Sequence, residues 1–155
     1  MKINKNKTQL LCISHAGDSN QAFIRVNNEK ISSSHTLKIC GYNFGNRPNV
    51  AEQVRFIEKK FNQRSWLLRN LKQSGFTKED LKIAYNSFIL PIFDFTAVVY
   101  HLLLTQEQSI KLERLQARAL AIITGVSTSY TGNLETLSVE RLDKRRLTLI
   151  DNFLN

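Results

Sequence analysis

A chain of 155 residues with 42% hydrophobic content is long enough to bury one real core, or a small sheet lobe and a helical lobe, which excludes disorder as its default state. Its net charge is +9, but the excess is confined to one half: residues 1–49 carry +5, residues 50–75 carry +4, and residues 76–155 sum to zero. Charge gathered in this way is the footprint of a surface for phosphate or another polyanion, whereas the total alone would suit any soluble basic protein.

Three runs in the first part, residues 9–14, 22–26 and 37–44, read as strands, because they are rich in β-branched and apolar residues and are separated by Gly, Ser, Asn and Asp. Asn27 and Asn28 supply a turn, so a small antiparallel sheet is expected. Gly41, inside the last of these runs, marks a bulge or a place where something approaches the backbone closely. Cys12 and Cys40 lie in apolar surroundings, where free thiols are ordinarily buried, which suggests a reducing, intracellular compartment. After the break at 46–49 the apolar period changes from two to 3.6. Val50, Val54, Ile57, Phe61, Leu68 and Leu71 form one stripe of a helix, and Arg55, Lys59, Trp66 and Arg69 lie on the opposite side. A basic face with one aromatic ring among its cations can lie along a nucleic-acid backbone, the cations neutralising phosphates while the ring stacks on a base or sugar; it can equally be a solvated face.

Ser74-Gly75 ends that helix, and Thr77 with Asp80 three residues later opens the next through a capping pattern. Pro91, lacking an N–H, is expected to end or kink it. Asp94 then falls within the apolar run IFDFTAVVY. The clearest helix is 105–125: Thr105 and Gln108 form a capping box, Gly125 is the stop, and Leu112, Leu115, Ala119, Ile122 and Ile123 make its apolar stripe. A last helix from about Ser138 puts Arg146 on the same side as Leu142, Leu149, Ile150 and Phe153. Asp94 and Arg146 are each out of place alone, so they are expected to face one another. The longest apolar stretch, 88–104, is broken by Pro91, Asp94 and His101, so no membrane span is expected.

Catalytic constellations do not stand out. Cys12 with His15, and His35 with Cys40, suggest zinc spacing, but odd offsets along a strand point the side chains to opposite faces, so no metal site is expected. Two-metal catalysis needs clustered carboxylates, and only Asp18 and Glu29 precede Glu52.

The order of the pieces carries more than any one of them. NKNKT leading into a strand, LKICGYNF, a basic helix ending in SWLLRNLKQSGF, LPIFDFTAVVY, LERLQARALAIITG and LDKRRL together resemble the C-terminal half of reverse transcriptases from non-LTR retrotransposons of the jockey type, over essentially the whole chain. The resemblance implies that residues 1–49 are the end of a polymerase palm and 50–155 a helical thumb and post-thumb region. The expected fold class is therefore α+β, a small antiparallel sheet followed by a mostly helical thumb-like bundle. By the same resemblance, Asn4 and Lys7-Thr8 match a segment whose lysine lies near the incoming nucleotide and is a possible proton donor. Gly41 and Tyr42 match the primer grip, with Cys40 where leucine is usual, and Arg145-Arg146 match a pair near the region's end. The aspartates that bind Mg in the intact polymerase would precede residue 1. The chain thus resembles a fragment that needs no cofactor of its own, does not catalyse by itself, pairs with the upstream palm and fingers of the same polyprotein, and binds a template–primer or RNA–DNA duplex through Lys7, Gly41, Tyr42, Arg55, Lys59, Trp66 and Arg69. The alternative is a helical protein-interaction module that does not bind nucleic acid.

Overall fold

The computed structural model describes residues 4, 7–13, 22–26, 28–39, 42–45, 50–127 and 129–154. The architecture is α+β, 67% helical and 14% strand, small sheets preceding a helical bundle. Two compact units divide the chain, Met1–Gln53 and Val54–Asn155.

In the first unit, β1 (Leu10–Leu11), β2 (Phe23–Val26) and β3 (Glu29–Ser34) form one sheet in the order β1-β3-β2, and β4 (Thr36–Ile39) pairs with β5 (Tyr42–Gly45) in a second. The β2–β3 hairpin closes where expected: Val26 faces Glu29, and Asn28 takes φ +62°, the left-handed conformation that Asn tolerates and a two-residue hairpin requires. Three details differ from the sequence reading. β3 was not expected, because EKISSS is polar and only Ile31 among its residues is buried. The run 37–44 is not one strand but most of a hairpin, with Ile39 opposite Tyr42 and the connecting Cys40-Gly41 outside the described residues. β1 joins β3 in parallel, so the three-stranded sheet is mixed and not purely antiparallel.

The second unit takes in nearly all of α1 (Ala51–Gln73), followed by α2 (Lys78–Ala84), α3 (Leu90–Asp94), α4 (Ala97–Tyr100), α5 (Gln106–Thr124), α6 (Tyr130–Leu137) and α7 (Leu142–Leu154). Its start and stop signals are met by hydrogen bonds. α1 ends in a Schellman turn, with Gly75 at φ +84° and Phe76 N–H donating to Leu71 O at 3.2 Å. Thr77–Asp80 and Thr105–Gln108 each make both bonds of a capping box, and Gly125 at φ +80° closes α5.

Of the two outcomes expected at Pro91, an end or a kink, the helix does not end. The helix neither stops nor breaks there; Tyr85–Ile89 widens into a π turn, with Leu90 N–H reaching Tyr85 O, and α3 follows with the proline at its start. One wider turn removes the clash between the proline ring and the preceding carbonyls at little loss of hydrogen bonds. The real reversal comes at Phe95-Thr96, where Thr96 adopts φ +65°. That conformation is a genuine outlier for a β-branched residue.

α5 is the centre of the core. Leu112, Leu115, Ala119, Leu120 and Ile123 are buried, and the helix packs on α2, α6 and α7. Each such side chain contributes roughly 1.5–3 kcal/mol by leaving water. Phe61 of α1 meets Phe93 of α3 with ring centroids 6.1 Å apart, joining the first helix to the same core. By length and composition alone, the stretch Lys78–Leu103 could cross a membrane, with a mean hydropathy of 1.4 over an 18-residue window, which the sequence reading did not expect. Leu81, Tyr85, Ile89, Phe93, Ala97 and Tyr100 of that stretch are spent on the core of the helical unit.

Candidate nucleic-acid interface

Helical periodicity places Arg55, Lys59, Asn62, Trp66 and Arg69 within about 40° of one line along α1, and all five are exposed. From Arg55 to Arg69 the row is about 21 Å long, at 1.5 Å per residue. Trp66 keeps 62% of its surface in water. Arg55, Glu58, Lys59, Asn62 and Gln63 line a shallow depression beside it. Elsewhere on α1, Lys60 lies over the Phe56 ring at 5.7 Å, Arg64 donates to Phe88 O, and Lys72 donates to Ile122 O. Of the two acids in α1, Glu58 is held by Lys111 of α5 at 2.7 Å.

The other expected contact residues belong to the sheet unit. Lys7 is exposed in a short turn tied by its own N–H to Asn4 O at 3.1 Å, with Thr8 Oγ1 donating to the same oxygen at 2.8 Å. Gly41 lies outside the described residues. Tyr42 is only 4% exposed and stands edge-on to Phe44 at 4.6 Å, so its ring offers no face to a base. Burial also raises the pKa of its phenol. Among the described residues no three His, Cys, Asp or Glu side chains converge on a point; of the zinc-like spacing, His15 and Cys40 lie outside that set.

The pairing of Asp94 with Arg146 is corrected by one residue. Arg145 makes the bidentate pair, Nε to Oδ1 and Nη2 to Oδ2, each at 2.8 Å. Arg146 is on the inner stripe as expected, 1% exposed, but one helical step turns it away from α3 towards α5 and the short 3-10 turn after α4. There its Nη2 donates to Ser109 Oγ at 2.8 Å and its Nε to His101 Nδ1 at 3.2 Å, with Glu113 Oε1 3.8 Å away. Its Nη1 is buried and has no partner among the described residues.

Beside this cluster lies a polar hub that the apolar pattern of α5 conceals. Gln116, fully buried, donates to Tyr85 OH at 2.9 Å and to Glu140 O at 3.0 Å. Tyr130 OH sits between Gln116 Oε1 and Glu113 Oε2, and its single proton serves one of them. Burial pushes both Tyr85 and Tyr130 up from the ordinary phenol value, so both remain neutral, Tyr85 accepting from Gln116. These groups hold α2, α5, α6 and α7 in register, behind the surface and not on it.

His101 gives this cluster a pH dependence. Burial, and then the Arg146 charge, lower its pKa below the usual 6.5, against a smaller opposing effect of Asp143. The unfolded chain therefore takes up this proton more readily than the folded one. The contribution is complete above about pH 6.5 and is lost as pH falls from there to the lowered folded value. Urea midpoints are expected to drop across that window and to stay level in His101→Asn; parallel curves for both proteins would reject the linkage.

Compared with known proteins, the chain matches no family model, no curated protein and no solved structure.

Proposed function

We propose that this chain binds nucleic acid as the template–primer grip of an RNA-directed DNA polymerase of the non-LTR retrotransposon type, using the exposed face of α1. The observation that carries the reading is the single row of Arg55, Lys59, Trp66 and Arg69 on a 23-residue helix. Arg55 and Lys59 stand one turn apart and Arg69 nearly three turns further along the same line, so the cations can meet successive phosphates of a backbone, and the indole can stack on a base or sugar of any identity. The order of segments that resembles those polymerases supports the choice of an RNA–DNA duplex as the ligand.

Three phosphate contacts release about three counterions, so affinity for an RNA–DNA duplex should fall at least about 40-fold between about 50 and 200 mM salt. Fluorescence anisotropy of a labelled duplex with the full chain measures this, and equal affinity at both salts rejects the reading. A second reading rests on Leu102, Phe153 and Leu154, which are 78%, 71% and 74% exposed: a protein-interaction module docking through apolar helix faces. It gains if the duplex does not bind and the chain self-associates in sedimentation.

A further inference from the structure

β2 is an open edge of its sheet: the order is β1-β3-β2, and among the described residues no strand lies beyond it. Which of its backbone groups face outward follows from the register. Ser33 N–H donates to Ala22 O at 2.8 Å, so these two are a hydrogen-bonded pair, and the alternation of an antiparallel ladder makes Ile24–Ile31 and Val26–Glu29 the next two. The N–H and C=O of Phe23 and Arg25 therefore point away from β3, and no described residue pairs with them there. Edge strands are ordinarily blunted by proline, lysine or a bulge, whereas β2 is regular, and its Phe23 and Ile24 are 50% and 40% exposed. Its side chains sort by face. Ile24 shares one with Ile31, which is 8% exposed, while Phe23 and Arg25 share the other with Lys30. Lys30 stands directly across from Arg25 but holds its ammonium over the Phe23 ring at 4.4 Å. Arg25 itself faces that like charge and has no ion pair or ring contact among the described residues.

We propose that β2 pairs antiparallel with β2 of a second copy of this chain, Phe23 opposite Arg25 of the copy on either side of a two-fold axis at Ile24. This register engages both outward-facing residues, in two pairs that each exchange both N–H···O bonds. Centring the axis on Arg25 would set guanidinium against guanidinium. Centring it on Phe23 would leave Arg25 opposite position 21, before β2 begins. With the axis at Ile24, each Arg25 meets an aromatic ring, a cation–π contact that nothing within its own sheet supplies. On the other face Ile24 meets Ile24, extending the apolar line that Ile31 begins. The edge thus complements itself, as a closed two-fold interface requires, and it joins two three-stranded sheets side by side.

The test takes the full chain through sedimentation velocity over a concentration series, beside Arg25→Gln and Arg25→Pro. Glutamine removes the cation alone; proline also removes an N–H that the β2–β3 ladder does not use, a position where an edge strand accepts it. The expected result is a wild-type species of twice 17.9 kDa at high concentration, weakened by glutamine and absent with proline. A second measurement does not depend on how the proline variant folds. In a Cys12→Ser/Cys40→Ser background, Ile24→Cys is expected to form an interchain disulfide on mild oxidation, because the Cα atoms of a non-hydrogen-bonded antiparallel pair stand about 4.5 Å apart, within disulfide reach. Phe23→Cys should cross-link far less, since its own counterpart lies a diagonal step away at about 7–8 Å. A monomer at every concentration, or equal cross-linking at positions 23 and 24, overturns the pairing. Self-association that all variants keep places the contact elsewhere and overturns it as well, and none of these outcomes bears on what α1 binds.

Discussion

Arg146→Ala is expected to destabilise the helical unit by about 3–5 kcal/mol, the range found when one partner of a buried charged cluster is removed. The side chain is 1% exposed and lies between α7, α5 and the turn at His101, where it donates to Ser109 Oγ and His101 Nδ1. Truncation leaves those acceptors and the nearby Glu113 carboxylate without it and opens a cavity the size of a guanidinium and its stem. Lysine does not repair the site, since one ammonium on a flexible stem cannot reproduce a planar fork aimed at two partners. Arg145→Ala supplies the contrast: it breaks a bidentate pair with Asp94, but at a partly solvated position, and should cost about 1–2 kcal/mol. Urea unfolding of both variants measures the order. Equal midpoints, or Arg145→Ala the more damaging, would show that the buried arginine does not pin α7.

That one-residue difference also marks what could be read from the chain and what could not. Arg146 was assigned to the inner stripe correctly, because Leu142, Leu149 and Ile150 set the phase of α7. Its partner was not legible: pairing two misplaced charges assumes that they meet, whereas one helical step decides which neighbour each one faces. Capping boxes and glycine stops were legible because their bonds are local, spanning three to five residues. β3 was hidden because a polar strand with one buried residue carries no alternation to detect. Gln116 was hidden in a run that reads as apolar, and only the convergence of Tyr85, Tyr130 and Glu140 reveals why a polar side chain is tolerated there. For the candidate surface, helical period alone brings the α1 row together, since Arg55, Lys59, Trp66 and Arg69 lie on one helix. Tyr42 shows the limit, because strand pattern does not say which face of a small sheet is covered.

Reversing Arg55, Lys59 and Arg69 together is expected to make the salt slope of duplex binding shallower by about 2.7, which follows from three lost phosphate contacts. The gap in affinity between wild type and the triple variant should then be widest at low salt and narrow about 40-fold between about 50 and 200 mM. A change in net charge alone could imitate part of this. The same number of reversals at Lys78, Lys82 and Lys144, outside α1, serves as the control, because it changes the net charge equally and leaves the row intact. Trp66→Ala separates the two contributions of the row. Losing the ring removes stacking, about 1–3 kcal/mol for a base it contacts, but no counterion is involved, so affinity falls while the slope stays where it was. A row acting as a backbone groove must show both behaviours: slope governed by the cations, and salt-independent affinity governed by the indole. Were the triple variant to bind with the wild-type slope, or Trp66→Ala to change the slope and not the affinity, α1 would be a solvated face and the duplex would have to be held elsewhere.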